Sequence, residues 1–325
     1  MSDSTNNSLI HLGNLSKPAN TLIKKISNAV GEIFEPHQIR RVARAKADAA
    51  MIAAKSDIEI TDLARRTAYR WLNEETRRQT NMEDITANAL ADLHEGARVE
   101  DVDDDWITFF FDKCRIVSNT MVQTVWSRLL VNECGQPGTI SKRTVRILGD
   151  LSTEEVTLFD NLCGSLCSID GDPFKPVTID LDWSIPKHQE FVSELSESDS
   201  NLIGDLLVTN EVHRQLQSTG LIVTPVLAPE FDAALWFGRT ITWCNVEFET
   251  LFSQSDEQLP AVSVDGFDLT DEGKELCLAL GNRQNKLNIT AAVYAWLRRG
   301  YIEPEAGKNI LNNIGIPNIF VDHHN

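Results

Sequence analysis

At 325 residues, 42% of them hydrophobic, the chain is long enough for two or more compact units, each burying a core of its own. Its formal net charge of −18 is unevenly spread: residues 1–80 hold 13 Lys/Arg against 9 Asp/Glu, and the remaining 245 residues hold 17 against 39. A basic head on an acidic body excludes a general nucleic-acid coat, because affinity for phosphate backbones comes from Lys and Arg releasing condensed counterions, and no apolar run approaches the roughly 20 residues that span a bilayer.

Residues 1–15, rich in Ser, Asn and Thr, read as a disordered tail. From Ala19 to Phe34 the residues Leu22, Ile23, Ile26, Val30, Ile33 and Phe34 recur at helical spacing beside Lys24 and Lys25, which predicts an amphipathic helix. Pro36 interrupts it, since proline lacks an N–H and disfavours helical geometry in the residue before it. Residues 38–80 contain no Gly or Pro and are dense in Ala, Arg, Lys and Glu, the composition of one long helix. A helix of that length usually packs on a partner or on another copy.

Asp103, Asp104 and Asp105 supply N-terminal negative charge to a helix carrying Trp106, Phe109, Phe110, Cys114 and Val117, the end where orphan N–H groups favour carboxylates. A second helix, capped by Ser118 or Asn119, presents Met121, Val122, Val125, Trp126, Leu129 and Leu130. Ser141 opens a third. Ser152 and Glu155 have the spacing of a capping box before Val156, Phe159, Leu162, Cys163 and Leu166. Four helices with short links imply a bundle, and the cluster Gly171, Asp172, Pro173 and Pro176 marks a domain boundary near residue 170.

The final third follows a different order. A helix through Leu206, Val212 and Leu216 ends at Gly220; Leu221-Ile222-Val223 follows, then the β-rich run Thr240–Phe248, then Leu269-Thr270-Asp271-Glu272-Gly273 opening another helix, with two more helices over 288–314. Helix, ribbon and capped helix make the cadence of a winged-helix-like unit. The fold expected is mainly α: a tail over 1–15, a basic amphipathic helix and long helix over 16–100, a helical bundle over 101–170, and a smaller α+β winged-helix-like domain with C-terminal helices over 171–325.

No constellation of residues states a reaction. The acids Glu100, Asp101, Asp103, Asp104 and Asp105 lack the spacing and glycine of a calcium loop and read as a helix start. Cys163 and Cys167 lie one turn apart, yet Cys163 falls in an apolar stripe with no His nearby in sequence, so core packing is favoured over a metal or redox pair. Six cysteines without a CxxC pair or a secretory leader read as reduced thiols in a cytosolic protein. Neither a Gly-x-Ser-x-Gly turn, a Cys–His pairing nor a Gly-rich phosphate loop with Lys occurs, so a non-enzymatic protein without a cofactor is expected.

The basic head is the candidate interaction surface. Lys17, Lys24, Lys25, Arg40, Arg41, Arg44 and Lys46 stand against two acids between Lys17 and Lys46. Such a segment can lie on an anionic membrane at the inner-membrane face, dock on a protein partner, or cover its own bundle. The winged-helix-like unit offers DNA binding as an alternative, but residues 200–300 carry 7 basic against 13 acidic residues, which opposes phosphate contact.

The segments LSKPANTLIKKISNAVGEIFEPHQIRRVARAKADAAMIAAK (Leu15–Lys55), IEITDLARRT (Ile58–Thr67) and DDDWITFFFDKCRIVSNTMVQTVWSRLLVNECGQPGTISKRTVRILGDLSTEEVTLF (Asp103–Phe159) resemble an uncharacterised bacterial family, domain of unknown function 2806. Trp126-Ser127-Arg128-Leu129-Leu130, the loop after it and the Ser-capped helix ahead of Leu151-Ser152 are also distantly similar to abortive-infection alpha proteins. This second resemblance implies a sensor, effector or antitoxin-like partner in phage defence. Neither family brings catalytic residues to carry over.

Overall fold

The computed structural model describes residues 16–31, 62–180, 184–195, 210–223, 238–251, 261–264, 268–281 and 284–316. The tail, the first half of the long helix and the start of the helix through Leu206 lie outside them. Among the described residues the chain is mostly helical with a small antiparallel sheet, and it divides into two compact units, 1–149 and 150–325.

In the first unit, α1 (Lys17–Val30) starts at Ser16, whose side chain accepts from the Ala19 N–H. It lays Ala19, Leu22 and Ile26 against α3 (Asp104–Cys114), so part of the predicted stripe is covered by the chain itself. The long helix α2 runs from Asp62 to Asp92 and therefore extends past the expected end at residue 80. Its last third buries Asn81, Met82, Ile85, Thr86 and Ala89, packing on α4 (Thr120–Gly135).

Asp103 caps α3 by accepting from the Trp106 N–H at 2.6 Å. Asn119 caps α4, accepting from the N–H groups of Met121 and Val122 at 3.0 and 3.2 Å. The aromatics of α3 then build the core: Phe110 lies 5.1 Å from both Trp106 and Trp126, stacked on the first and edge-on to the second. Short α5 (Lys142–Asp150) closes the unit, with Ser141 accepting from the Thr144 N–H at 3.1 Å.

The second unit opens with α6 (Thr153–Cys163), where the Ser152–Glu155 capping box forms as its spacing predicts. This helix, read from sequence as the last of the bundle, packs on α8 (Asn210–Gln217) and α9 (Asp271–Leu280) instead. It also stops at Cys163, and Leu166–Ile169 forms strand β1 where helix was expected. The reason is the following Asp170-Gly171, both at positive φ (49° and 84°), the geometry of a two-residue hairpin turn that aspartate and glycine tolerate best. β1 thereby pairs antiparallel with β2 (Asp172–Asp180), Ile169 facing Asp172.

The Thr240–Phe248 run forms strands as expected, within a larger sheet. β4 (Thr240–Trp243) and β5 (Val246–Glu249) form a hairpin around Cys244 and Asn245, at φ 51° and 63°, and β4 joins β1. With β6 (Ala261–Val264) on β2, the sheet order is β5-β4-β1-β2-β6. The short strands β3 (Ile222–Val223) and β7 (Asp268–Leu269) pair separately, and three strands of the larger sheet lie between them in sequence.

The Leu-Thr-x-x-Gly motif is the clasp of that small ribbon. Thr270 accepts from the Gly273 N–H at 3.0 Å and donates its hydroxyl to the Gly220 carbonyl at 2.8 Å. α9 lies so close to Leu221 that a Cβ on Gly273 would sit 2.1 Å from its carbonyl oxygen. After α7 (Pro186–Leu195), α10 (Lys286–Arg298) and α11 (Pro304–Asn313) complete the unit. α10 packs on β2 and β6, and its Trp296 meets Trp243 of β4 edge-on at 5.5 Å.

Candidate interaction surface

The seven cations of the basic head do not form one described patch. Arg40, Arg41, Arg44 and Lys46 lie outside the described residues. Lys17 and Lys24 are exposed on α1. Lys25 is turned inward: its side chain is 18% exposed, and its ammonium donates to the Val102 carbonyl and to Asp104 Oδ1, the latter at 2.9 Å. It ties α1 to the start of α3, so the acidic run serves as helix cap and ion-pair partner. Among the described residues no group of three or more His, Cys, Asp or Glu side chains is placed to hold a metal.

The most exposed apolar surface lies on α2. Of the six large hydrophobic side chains exposed among the described residues, Leu63 (67%), Tyr69 (62%) and Trp71 (62%) share its first three turns; the others are Ile116, Val223 and Leu278. The helix turns about 100° per residue, so Trp71 lies about five full turns before Ala89 and shares its direction. Thr67 and Arg78 fall near the same line, as do the fully buried Ile85 and Ala89. Nearer the helix start, on the azimuth that packs into the bundle after residue 80, Trp71 stands exposed among the described residues.

Charges flank that stripe in alternating signs. Asp62 pairs with Arg65 at 3.2 Å, Glu74 with Arg70 at 3.8 Å and with Arg78 at 3.9 Å, and Glu75 with Arg78 at 3.3 Å. All are i,i+3 or i,i+4 pairs on a solvated helix, each contributing a few tenths of a kcal/mol. Such weak pairs can exchange partners at little cost.

The remaining chemistry is internal. Glu133, 1% exposed, accepts from the N–H groups of Gly138 at 2.7 Å and Ile140 at 2.9 Å, holding the Pro137-Gly138 loop shut. Cys163 is close to Cys277 of α9, within hydrogen-bonding reach, while Cys167 stands on β1 rather than one helical turn on, and all three thiols are free. Burial pushes the Cys163 and Cys114 thiols well up, and that of Cys134 up to about 12. Thiolate is the reactive form, so these thiols are poor nucleophiles; Cys114 and Cys134 are core and Cys163 is half-buried.

A family model for proteins of unknown function (DUF2806) matches residues 65–287. The chain belongs to that family. The matched interval holds most of α2, the Asp103–Phe159 segment and both hairpins; the Leu15–Lys55 segment lies before it. No curated protein and no solved structure matches the chain. Within the DUF2806 region, the Trp126–Leu130 run is core, with Trp126, Ser127, Leu129 and Leu130 all buried, so that run supplies packing rather than a contact surface. Among the described residues no helix is long and apolar enough to cross a membrane.

Proposed function

We propose that this protein is a non-enzymatic interaction protein of bacterial phage defence, acting as a sensor or effector through the exposed start of α2. The observation that carries the interaction reading is the pair Leu63 and Trp71, exposed among the described residues and flanked by Arg65, Arg66, Arg70 and Glu74. Clustered apolar side chains of this size on a helix that leaves its own bundle mark a contact surface. The phage-defence context draws on the distant likeness of residues 126–152 to abortive-infection alpha proteins.

Deleting the gene and plating a broad phage panel tests the reading, together with overexpression to score toxicity. A changed plating efficiency or a growth arrest that Trp71→Glu removes is the expected result. Unchanged plating across the panel, with no toxicity, would overturn it.

DNA binding is the second reading: α8 precedes β3 and α9 follows β7, so two helices flank the small β3–β7 ribbon, with β4, β5 and β6 inserted between its strands. The acidic balance of residues 200–300 makes protein contact the better use of that unit. Gel-shift titration with genomic fragments separates the two: specific shifts that weaken steeply with salt would favour DNA.

A further inference from the structure

We propose that Lys113 and Arg146, which converge on the Phe109 ring between α3 and α5, hold the phosphate group of a small anionic ligand. No residue of α2 takes part.

Contacts between α3 and α5 advance in step along both helices. Lys142 stands 3.8 Å from Asp103 Oδ1, Arg146 lies over Phe109, and the stem of Lys113 passes Gly149. A Cβ on Gly149 would meet the Lys113 Cβ, Cδ and Cγ at 3.6, 3.7 and 3.9 Å, so that stem is packed before its charge begins. The Lys113 ammonium stands 5.6 Å from the Phe109 centroid, and the guanidinium carbon of Arg146 stands 5.9 Å from the same point. A half-buried ring thus gathers one cation from each helix.

What this gathering lacks is a carboxylate. Two like charges drawn to one ring repel each other, and the ring attracts each cation without neutralising it. Among the described residues neither Lys113 nor Arg146 forms an ion pair. The acids around them are engaged or set apart. Asp103 caps α3 and faces Lys142, and Asp112 pairs with Arg115 at 2.8 Å. Asp105 and Asp150 stand exposed, with no ion pair to either cation.

A phosphate group supplies the missing charge. Its oxygens accept from the Lys113 ammonium and from the planar fork of Arg146, which is exposed and has room to turn onto the anion. The same acids limit the ligand's size. A strand of many phosphates would run past Asp105, Asp112 or Asp150, so the site takes one phosphate group, free or as a monoester, rather than a polyanion.

Calorimetric titration of the purified full-length protein at low salt tests this, using inorganic phosphate, a nucleoside monophosphate and a single-stranded oligonucleotide. One-to-one saturation by inorganic phosphate or by the monophosphate is expected, and whichever binds tighter identifies the free ion or the ester as the ligand. Arg146→Gln and Lys113→Gln should each weaken binding about tenfold or more, while Lys113→Arg, which keeps the charge, should retain most of it. Lys24→Gln removes an exposed cation of α1 and should change nothing. If Lys113→Gln loses its circular dichroism signature, the exposed Arg146→Gln decides alone.

No saturation by either phosphate ligand overturns the proposal. So does binding that Arg146→Gln leaves intact, or that Lys24→Gln weakens equally, since that would be attraction to cations at large. An oligonucleotide bound far more tightly than the monophosphate also contradicts a site for one phosphate.

Discussion

The two ends of α2 carry one stripe into opposite surroundings. Past residue 80 it is closed: Ile85 and Ala89 are fully buried, and Asn81 donates its side-chain amide to the Arg115 carbonyl at 2.8 Å. Before residue 80 the same face meets solvent at Trp71 and Leu63. The helix itself is continuous, so the difference comes from where α4 and the link after α3 stop, not from any break in α2. An apolar period along a helix thus says which way a side chain points and leaves open whether the cover is in the same chain.

Mutations along this one helix can break or sharpen that contrast. Ile85→Ala should have the largest effect, about 2–5 kcal/mol of lost stability from the cavity and lost burial, read by chemical denaturation. Asn81→Ala should follow at about 1–3 kcal/mol, because it orphans the Arg115 carbonyl and removes the acceptor that the Gln123 amide reaches at 3.4 Å. Trp71→Ala should lie within about 0.5 kcal/mol of wild type. The smallest effect belongs to Asp62→Asn, which removes an exposed pair worth at most about 1 kcal/mol and should vanish in high salt. A Trp71→Ala penalty as large as that of Ile85→Ala would erase the contrast between the two ends.

Local signals in the sequence carried through to structure, and long-range ones did not. Ser152 with Glu155, and Asp103 before Trp106, declare helix starts because a cap needs only residues three apart. Asp170-Gly171 is an equally local hairpin signal, but the capped run ahead of it keeps helical apolar spacing as far as Leu166, and Gly171 stands beside prolines that equally mark a boundary. The Thr240–Phe248 strands were legible as strands. Their partner was not, because pairing with β1 joins residues some seventy positions apart.

The candidate surface shows the same division. Lys25 counts as one more cation of a basic head until Asp104, 79 positions away, is seen beside it. Cys163 meets Cys277 across the packing of α6 on α9, which no spacing within α6 announces. Trp71 could be placed on a stripe from sequence, and its exposure could not, since exposure depends on the length of every neighbouring element.

Hydrogen–deuterium exchange along α2 tests the account most directly. Amides 81–92 should be protected, because their cover belongs to the same chain, while amides 62–78 should exchange fast. Protection of 62–78 as strong as that of 81–92 would contradict it.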